Sequence, residues 1–420
     1  MSAQVVFCTH DSPTSIGGPF TWIRRLLPQL REAGIDSRVL ALTHYGGTGT
    51  VVEALRQDGF EVAVTDCPER TEDGVRWILS QLNDPIPRVF VPNLVVPALF
   101  AARWLRQAGC TTVGVLHSDD DYYRAIQREF VRTSSPFQLT NIVTVSEQLQ
   151  NEVLQRSLRE TPHASYIPYG VQIPNHRQPA TGNGLKIAYV GRLAEEQKRI
   201  SLVAKAFVAA CERIPGTEAV LFGDGPDRQN VERVLATQTA GHPVTAAGPL
   251  RQEDVQARLL SFDVIVLLSD YEGLPISLLE AMACGCVPLC RQMKSGIPQL
   301  VSHEQTGLIV SDDTSDFVSA VRRLADDQSL RQRLRSAARD VVVRKFSDQH
   351  SVNRWCSLLT ECITNAKTHP LRIPRRIKLP PARPELEGPG ARAPGDSALQ
   401  RRLRRLRIKL GALRRRLFFQ

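Results

Sequence analysis

The sequence has no apolar run approaching the roughly 20 residues that a membrane-spanning helix needs, so no transmembrane segment is expected. Its first ten residues contain no basic stretch followed by an apolar one, and no secretory signal is expected. A dinucleotide fingerprint is also missing. Gly17-Gly18 does not form G-x-G-x-x-G, and in Gly223-Asp224-Gly225 the third glycine is replaced by Arg228. The nine cysteines are odd in number and scattered, mostly inside apolar runs (Cys8, Cys211, Cys356), as reduced thiols in a cytosolic core would be. Cys284, Cys286 and Cys290 are close together, but no histidine or further cysteine pair completes a zinc spacing, so no metal site is expected.

Negative charge is scarce in one region only. Of 53 Lys/Arg and 43 Asp/Glu in 420 residues, 16 and 3 respectively lie from residue 366 onward. That tail carries a net +13 and the rest of the chain −3, so the basic character belongs to the tail and not to the body. The length is enough for two domains of ordinary size.

What the chain does contain is short apolar runs alternating with amphipathic helical patterns, the mark of parallel α/β sheets. Val5 to Cys8 reads as a strand, followed by a polar loop through Gly17-Gly18. A helix from about Pro19 to Ala33 then buries Trp22, Ile23, Leu26, Leu27 and Leu30, and Ser37 to Leu42 completes a βαβ unit. Adjacent glycines at a helix N-terminus let a backbone approach a phosphate, although a flexible turn would use the same residues. Further strands are expected at Glu61 to Val64, Arg88 to Val91, Thr112 to Leu116 and Asn141 to Val145. His117, directly after one of them, is placed to face an interdomain cleft; the alternative is a surface-loop histidine.

Pro174 to Gly184, rich in Pro, Gly, Asn and Gln, reads as a linker, and a second αβ pattern opens with Lys186 to Val190. Gly191-Arg192-Leu193 and Lys198 follow at once. Two cations six residues apart, at a strand end and a helix start, can clamp a diphosphate, Arg through its planar fork and Lys as a point charge. Two solvated surface cations are the other possibility.

The most informative stretch runs from Phe262 to Leu289. Val264 to Leu268 is unbroken and apolar, as in a strand buried on both faces. Ser269 to Leu274 is a loop, Pro275 is placed in the first turn of a helix, and Ile276, Leu279, Met282 and Ala283 supply its apolar face. Such a strand–loop–helix junction leaves N–H groups for an anion at the crevice above the sheet. Glu272 and Glu280 add carboxylates able to accept hydrogen bonds from sugar hydroxyls. A capping carboxylate and a solvated helix glutamate would account for them equally well.

Together, G-R-L-x4-K at Gly191 to Lys198 and E-x7-E at Glu272 to Glu280 resemble the donor site of retaining glycosyltransferases of family 4 (glycosyl transferases group 1). Tyr166 to Val171 resembles the segment with which that family leaves its first domain, and the resemblance extends over roughly residues 1 to 364. It implies the GT-B fold, an α/β architecture of two doubly wound Rossmann-like domains facing a cleft, here with a basic C-terminal tail. The implied domains are 1–175 on the acceptor side, a linker at 176–185, the nucleotide-sugar domain at 186–346, and a helix at 347–365 crossing back to the first domain. It further implies that Arg192 and Lys198 neutralise the leaving diphosphate, helped by backbone N–H groups at Gly18 and near Leu274 to Ile276. Glu280 would hold the ribose, Glu272 the donor sugar, and Gly248, Pro249 and Leu250 the base, with His117 near the sugar or acceptor hydroxyl. The catalytic set is thus His117, Arg192, Lys198 and Glu272; the donor-binding set adds Gly17, Gly18, Gly248, Pro249, Leu250, Gly273, Leu274, Pro275, Ile276 and Glu280.

The expected reaction is retaining, metal-independent sugar transfer from a nucleotide-diphosphate sugar to a saccharide or lipid-linked acceptor, in cell-envelope polysaccharide or glycolipid synthesis. No cofactor is expected beyond the nucleotide sugar as co-substrate. A sugar phosphorylase of the same fold and a non-catalytic nucleotide-sugar-binding or scaffold protein are the rival expectations.

Residues 366–396, rich in proline, read as an extended or disordered linker. From Ser397, leucines at Leu399, Leu403, Leu406, Leu410, Leu413 and Leu417 form a narrow helical stripe among arginines. A basic amphipathic helix over 397–420 suits an anionic membrane surface first, a protein partner next and nucleic acid last. The expected location is cytoplasmic, peripheral on the inner face of the membrane.

Overall fold

The computed structural model describes residues 4–11, 18–43, 47–155, 162–175, 184–236, 243–293, 295–381 and 383–386. Gly17, the linker residues 176–183 and the helix expected over 397–420 lie outside the described residues. The chain divides into two units, one of Met1–Val145, Leu149–Ile167 and Val352–Gln420, the other of Ser146–Gln148 and Pro168–Ser351.

The N-terminal unit is built on seven strands: β1 (Val5–Asp11), β2 (Ser37–Thr43), β3 (Val62–Asp66), β4 (Val89–Pro92), β5 (Thr111–Leu116), β6 (Asn141–Thr144) and β7 (His163–Tyr166). All pair in parallel in the order β3-β2-β1-β4-β5-β6-β7. The apolar run of β1 is buried on both faces, as a central parallel strand requires. The strand order reverses between β1 and β4, and ligands of open α/β sheets bind outside the carboxyl ends of the strands at such a reversal. The helix Gly18–Glu32 starts there and buries Trp22, Ile23, Leu26, Leu27 and Leu30, as its spacing predicts.

The second unit has six parallel strands: β8 (Lys186–Val190), β9 (Glu218–Phe222), β10 (Val244–Gly248), β11 (Val264–Leu267), β12 (Val287–Arg291) and β13 (Leu308–Val310). Their order is β10-β9-β8-β11-β12-β13, with the reversal between β8 and β11. Both motif-bearing loops follow these two strands. Its core packs Tyr189, Phe207, Leu221, Val266, Leu289, Phe317 and their neighbours under the sheet faces. Pro275 stands one residue earlier than expected. It is the N-cap, with ψ 112°, and the helix proper is Ile276–Ala283, so the first free amides belong to residues after the proline.

The last long helix, Asp348–Asn365, begins in the second unit and continues in the first from Val352. There Trp355 stacks on Trp22 with ring centroids 5.2 Å apart and planes at 27°. Beyond it, the described part of the proline-rich segment, up to residue 386, forms no strand and only one short helical turn, and it is anchored on the N-terminal unit. Leu371, Leu379 and Leu386 are buried, and Arg88 Nη1 donates to the Ala366 carbonyl at 2.8 Å. Gly109, with φ +78°, lets the Lys367 carbonyl approach where a Cβ would stand 1.9 Å away.

Trp355→Ala removes a buried ring stacked on another and should destabilise the N-terminal unit by about 3–5 kcal/mol. Urea unfolding followed by far-UV circular dichroism measures it, with Trp355→Phe expected to cost less.

Candidate active site

The end of β8 is a rigid turn. Gly191 N donates to the Phe222 carbonyl at 3.0 Å, Leu193 N to the Asp224 carbonyl at 2.9 Å, and Asp227 N to the Leu193 carbonyl at 3.0 Å. The turn after β9 therefore lies backbone to backbone against it. A Cβ on Gly223 would stand 1.8 Å from the Gly191 oxygen, and one on Gly225 would stand 2.4 Å from the Leu193 oxygen. These glycines, which resemble part of a dinucleotide motif, serve close backbone approach. Inside the turn the fully buried Tyr189 donates its hydroxyl to the Arg192 carbonyl at 2.8 Å.

The short helix Glu195–Lys198 is capped by Asp227, whose Oδ2 accepts from Glu195 N at 2.7 Å. Gln197 ties this helix to the loop after β11: its carbonyl accepts from Asp270 N at 2.9 Å, and its Nε2 donates to the Tyr271 carbonyl at 3.1 Å. The two motif loops are thus joined, and Lys198 Nζ forms an ion pair with Glu272. Both side chains are well covered, at 15% and 8% exposure, so the pair is shielded from water. Arg192 is exposed, and its Nη2 donates to Gln197 Oε1 at 3.1 Å.

Around Glu272, Gly273, Leu274 and Pro275 are buried, and Gly296 N donates to the Gly273 carbonyl at 2.7 Å. Glu280 is buried on the helix Ile276–Ala283. Gly248 ends β10 with φ +80° after a register shift, its carbonyl accepting from Gly223 N at 2.8 Å; Pro249 is exposed and Leu250 half-buried.

Several contributors carried no motif. Arg291 bonds Asp312 at 2.6 Å and Asp270 at 3.1 Å, and Arg199 pairs with Asp312, bracing the loops after β8, β11, β12 and β13. The Arg199 hydrogen bond, more than that of Arg291, holds the Asp312 carboxyl below its ordinary range. Ser269 Oγ, fully buried at the end of β11, has no hydrogen-bond partner among the described residues. None of Arg199, Asp270, Arg291 and Asp312 was singled out from the sequence, because their pairing joins positions distant in the chain.

In the N-terminal unit His117 is buried, not in a surface loop. Its ring lies 5.6 Å from Trp22 and 6.0 Å from Tyr123, and its Nε2 is 2.5 Å from Asn93 Oδ1. Asn93 Nδ2 donates to the Pro19 carbonyl at 2.9 Å, which leaves Oδ1 as the acceptor and assigns the imidazole proton to Nε2. Gly18 begins the helix that carries Pro19. Asn93, at the end of β4, was not picked out from the sequence; it sits at the strand-order reversal where polar side chains are most informative. Asp11, buried at the end of β1, has a structural task, accepting from Gly49 N and Val52 N at 2.8 and 3.0 Å to cap the helix Thr50–Gln57.

Residues 173–341, which include every donor-side residue from Arg192 to Glu280, match the family described as Glycosyl transferases group 1. This stretch is a glycosyl transferases group 1 domain. The chain is 31% identical over 162 residues to the alpha-D-kanosaminyltransferase of Streptomyces kanamyceticus, a match covering 38% of this chain and 42% of that protein. The chain spans less than half the length of the first curated relatives it matches, 42% and 44%. Over 386 residues it is 25% identical to the GDP-mannose-dependent alpha-(1-6)-phosphatidylinositol monomannoside mannosyltransferase of Mycobacterium tuberculosis, covering 85% of this chain and 96% of that one. In fold it is similar to Anabaena HepE in complex with UDP, with a TM-score of 0.68 at 16% identity over 85% of this chain and 100% of that one. The architecture is that of the GT-B glycosyltransferases, two Rossmann-like α/β units each on a parallel sheet, with the group 1 domain forming most of the second.

Gly223→Ala should cost the group 1 domain about 1–3 kcal/mol, since φ is +150° and the new methyl meets a backbone oxygen. Thermal unfolding tests this against Gly34→Ala, which has φ +81° but no atom within 4 Å and should cost less.

Burial lowers the His117 pKa from 6.5 to about 3. Between those values the unfolded chain binds a proton that the folded chain does not, so stability is intact above about pH 6.5 and falls as pH drops toward 3. Chemical denaturation across pH 4–7 should show that slope, reduced by about one proton in His117→Gln.

Proposed function

We propose that the protein is a retaining glycosyltransferase that moves a sugar from a nucleotide-diphosphate sugar to a saccharide or lipid-linked acceptor. Cell-envelope polysaccharide or glycolipid synthesis is the setting that suits it. The observation that carries this reading is the joining of the G-R-L-x4-K loop after β8 to the E-x7-E loop after β11, with Lys198 and Glu272 in direct contact at the strand-order reversal. Similar proteins support the donor class: one is GDP-mannose-dependent and another was crystallised with UDP.

On this reading the diphosphate of the donor competes with Glu272 for Lys198. Lys198 then turns to the phosphate oxygens beside Arg192, and the released Glu272 carboxylate accepts hydrogen bonds from the donor sugar. Glu280 takes the ribose hydroxyls, the backbone of Gly248, Pro249 and Leu250 the base, and the amides after Leu274 and Pro275 the phosphates.

As the C–O bond to the diphosphate breaks, negative charge grows on the leaving oxygen, where two cations and a helix N-terminus stabilise it without a divalent metal. The acceptor hydroxyl attacks from the face the diphosphate leaves and passes its proton to a phosphate oxygen. His117, neutral at physiological pH and with its Nε2–H given to Asn93, lies near the sugar or acceptor hydroxyl on this reading and adds no charge. Residues 397–420 are read as the part that holds an anionic membrane surface or a protein partner, with the enzyme peripheral on the cytoplasmic face.

The test is donor turnover and binding across UDP-, GDP- and ADP-sugars in EDTA, for wild type and Lys198→Ala. One nucleotide sugar should stabilise the wild type and be consumed, and Lys198→Ala should lower kcat by about 10²–10³. Turnover only when a divalent metal is restored would refute the metal-independent mechanism. Cleavage of a disaccharide by inorganic phosphate would instead make it a phosphorylase, and binding without turnover over a broad acceptor panel would favour a scaffold.

A further inference from the structure

The N-terminal unit carries a cavity of about 480 Å³ away from the motif loops, between the helix Val96–Gln107 and the extended segment after residue 366. Every second residue from Pro374 to Pro380 lines it, so Arg376 and Lys378 face the cavity together. Arg103 and the rings of Trp104 and Phe137 form its other side. The Arg103 guanidinium carbon lies 5.5 Å from the Trp104 centroid and 5.1 Å from that of Phe137, and its buried Nε has no hydrogen-bond partner among the described residues. No carboxylate lines the cavity among the described residues.

Arg103, Arg376 and Lys378 thus face one space with no carboxylate among the described residues that line it. Burial first, and then the charge of Arg103, lowers the Arg106 guanidinium from its ordinary value. The segment that delivers Arg376 and Lys378 is held in place. Arg76 donates to the carbonyls of Pro374 at 3.3 Å and Arg375 at 2.9 Å, and Arg383 pairs with Glu129 at 2.6 Å. The backbone that carries the two exposed cations Arg376 and Lys378 is therefore arranged in advance, which lowers part of the ordering cost of binding an anion.

We propose that this cavity is a binding site for a phosphate ester of a small polyol, separate from the sugar-donor site and independent of the sugar-transfer reading. The planar Arg103 and Arg376 and the compact Lys378 charge suit a tetrahedral oxyanion. The proline and aromatic walls suit the C–H faces of a polyol, and the volume is several times that of a phosphate alone. Such an ester occurs as a phospholipid headgroup or as a soluble phosphate, and the two share the chemistry recognised here.

The test uses the full chain, Arg376→Gln/Lys378→Gln, and a charge-matched control, Arg372→Gln/Arg375→Gln, whose exposed side chains do not line the cavity. Calorimetry with glycerol 3-phosphate reads the soluble source. Flotation with phosphatidylcholine vesicles, with or without phosphatidylglycerol, reads the lipid source. A loss of roughly tenfold or more in the cavity variant, with little change in the control, supports the site, and the assay that reports it identifies the source. Equal losses in both variants, or no loss in either variant in either assay, would overturn it.

Discussion

The donor-side site of the second unit depends on backbone-to-backbone contact between the turns after β8 and β9. Gly223 and Gly225 leave no space for a side chain there, and the carbonyls of Gly191 and Leu193 occupy it. Because those contacts are made by main-chain atoms, the Arg192 turn is positioned independently of any side-chain rotamer. Tyr189 fixes the same turn from within and Asp227 fixes the helix that follows. A site that must hold cations within hydrogen-bond reach of a diphosphate gains from this, since misplacement by an ångström is enough to lose much of a catalytic effect.

Electrostatics act on that frame in two different ways. The Arg199, Asp270, Arg291 and Asp312 cluster is half-exposed, so each of its pairs contributes little to stability; its value lies in joining four loops into one rim. The Lys198–Glu272 pair is covered, and a covered charge left without a partner is costly. On the proposed function, an incoming diphosphate would offer Lys198 a more highly charged partner, while sugar hydroxyls would supply Glu272 with donors. Each residue that loses the other gains a ligand group, so exchange is favoured only when phosphate and sugar arrive together. Donor recognition would then require both halves of the nucleotide sugar.

Much of this was legible in the sequence, for an identifiable reason. Unbroken apolar runs such as Val264 to Leu267 must be central parallel strands, and the helix Gly18–Glu32 shows its buried stripe directly. The motif loops were found because ligand chemistry constrains residue type at short spacing. What could not be read were partnerships between residues distant in the chain: Asn93 with His117, Asp227 with the Glu195 amide, and Arg199 with Asp312. The proline-rich segment after residue 366 was expected to be an extended or disordered linker. Its anchoring was hidden because it rests on carbonyls, which any sequence supplies, and on isolated leucines.

His117 shows how far burial decides chemistry. Packed against Trp22 and Tyr123, the imidazole cannot carry charge at neutral pH, and Asn93 settles which nitrogen keeps the proton. Trp22 is itself held by Trp355, which arrives from the far end of the chain. The burial that sets the protonation state of His117 therefore includes, through Trp22, a helix nearly 240 residues downstream. A histidine held neutral in this way is a poor general acid at pH 7 but a well-directed dipole. A front-face transfer, in which the leaving phosphate itself takes the acceptor's proton, needs only the dipole.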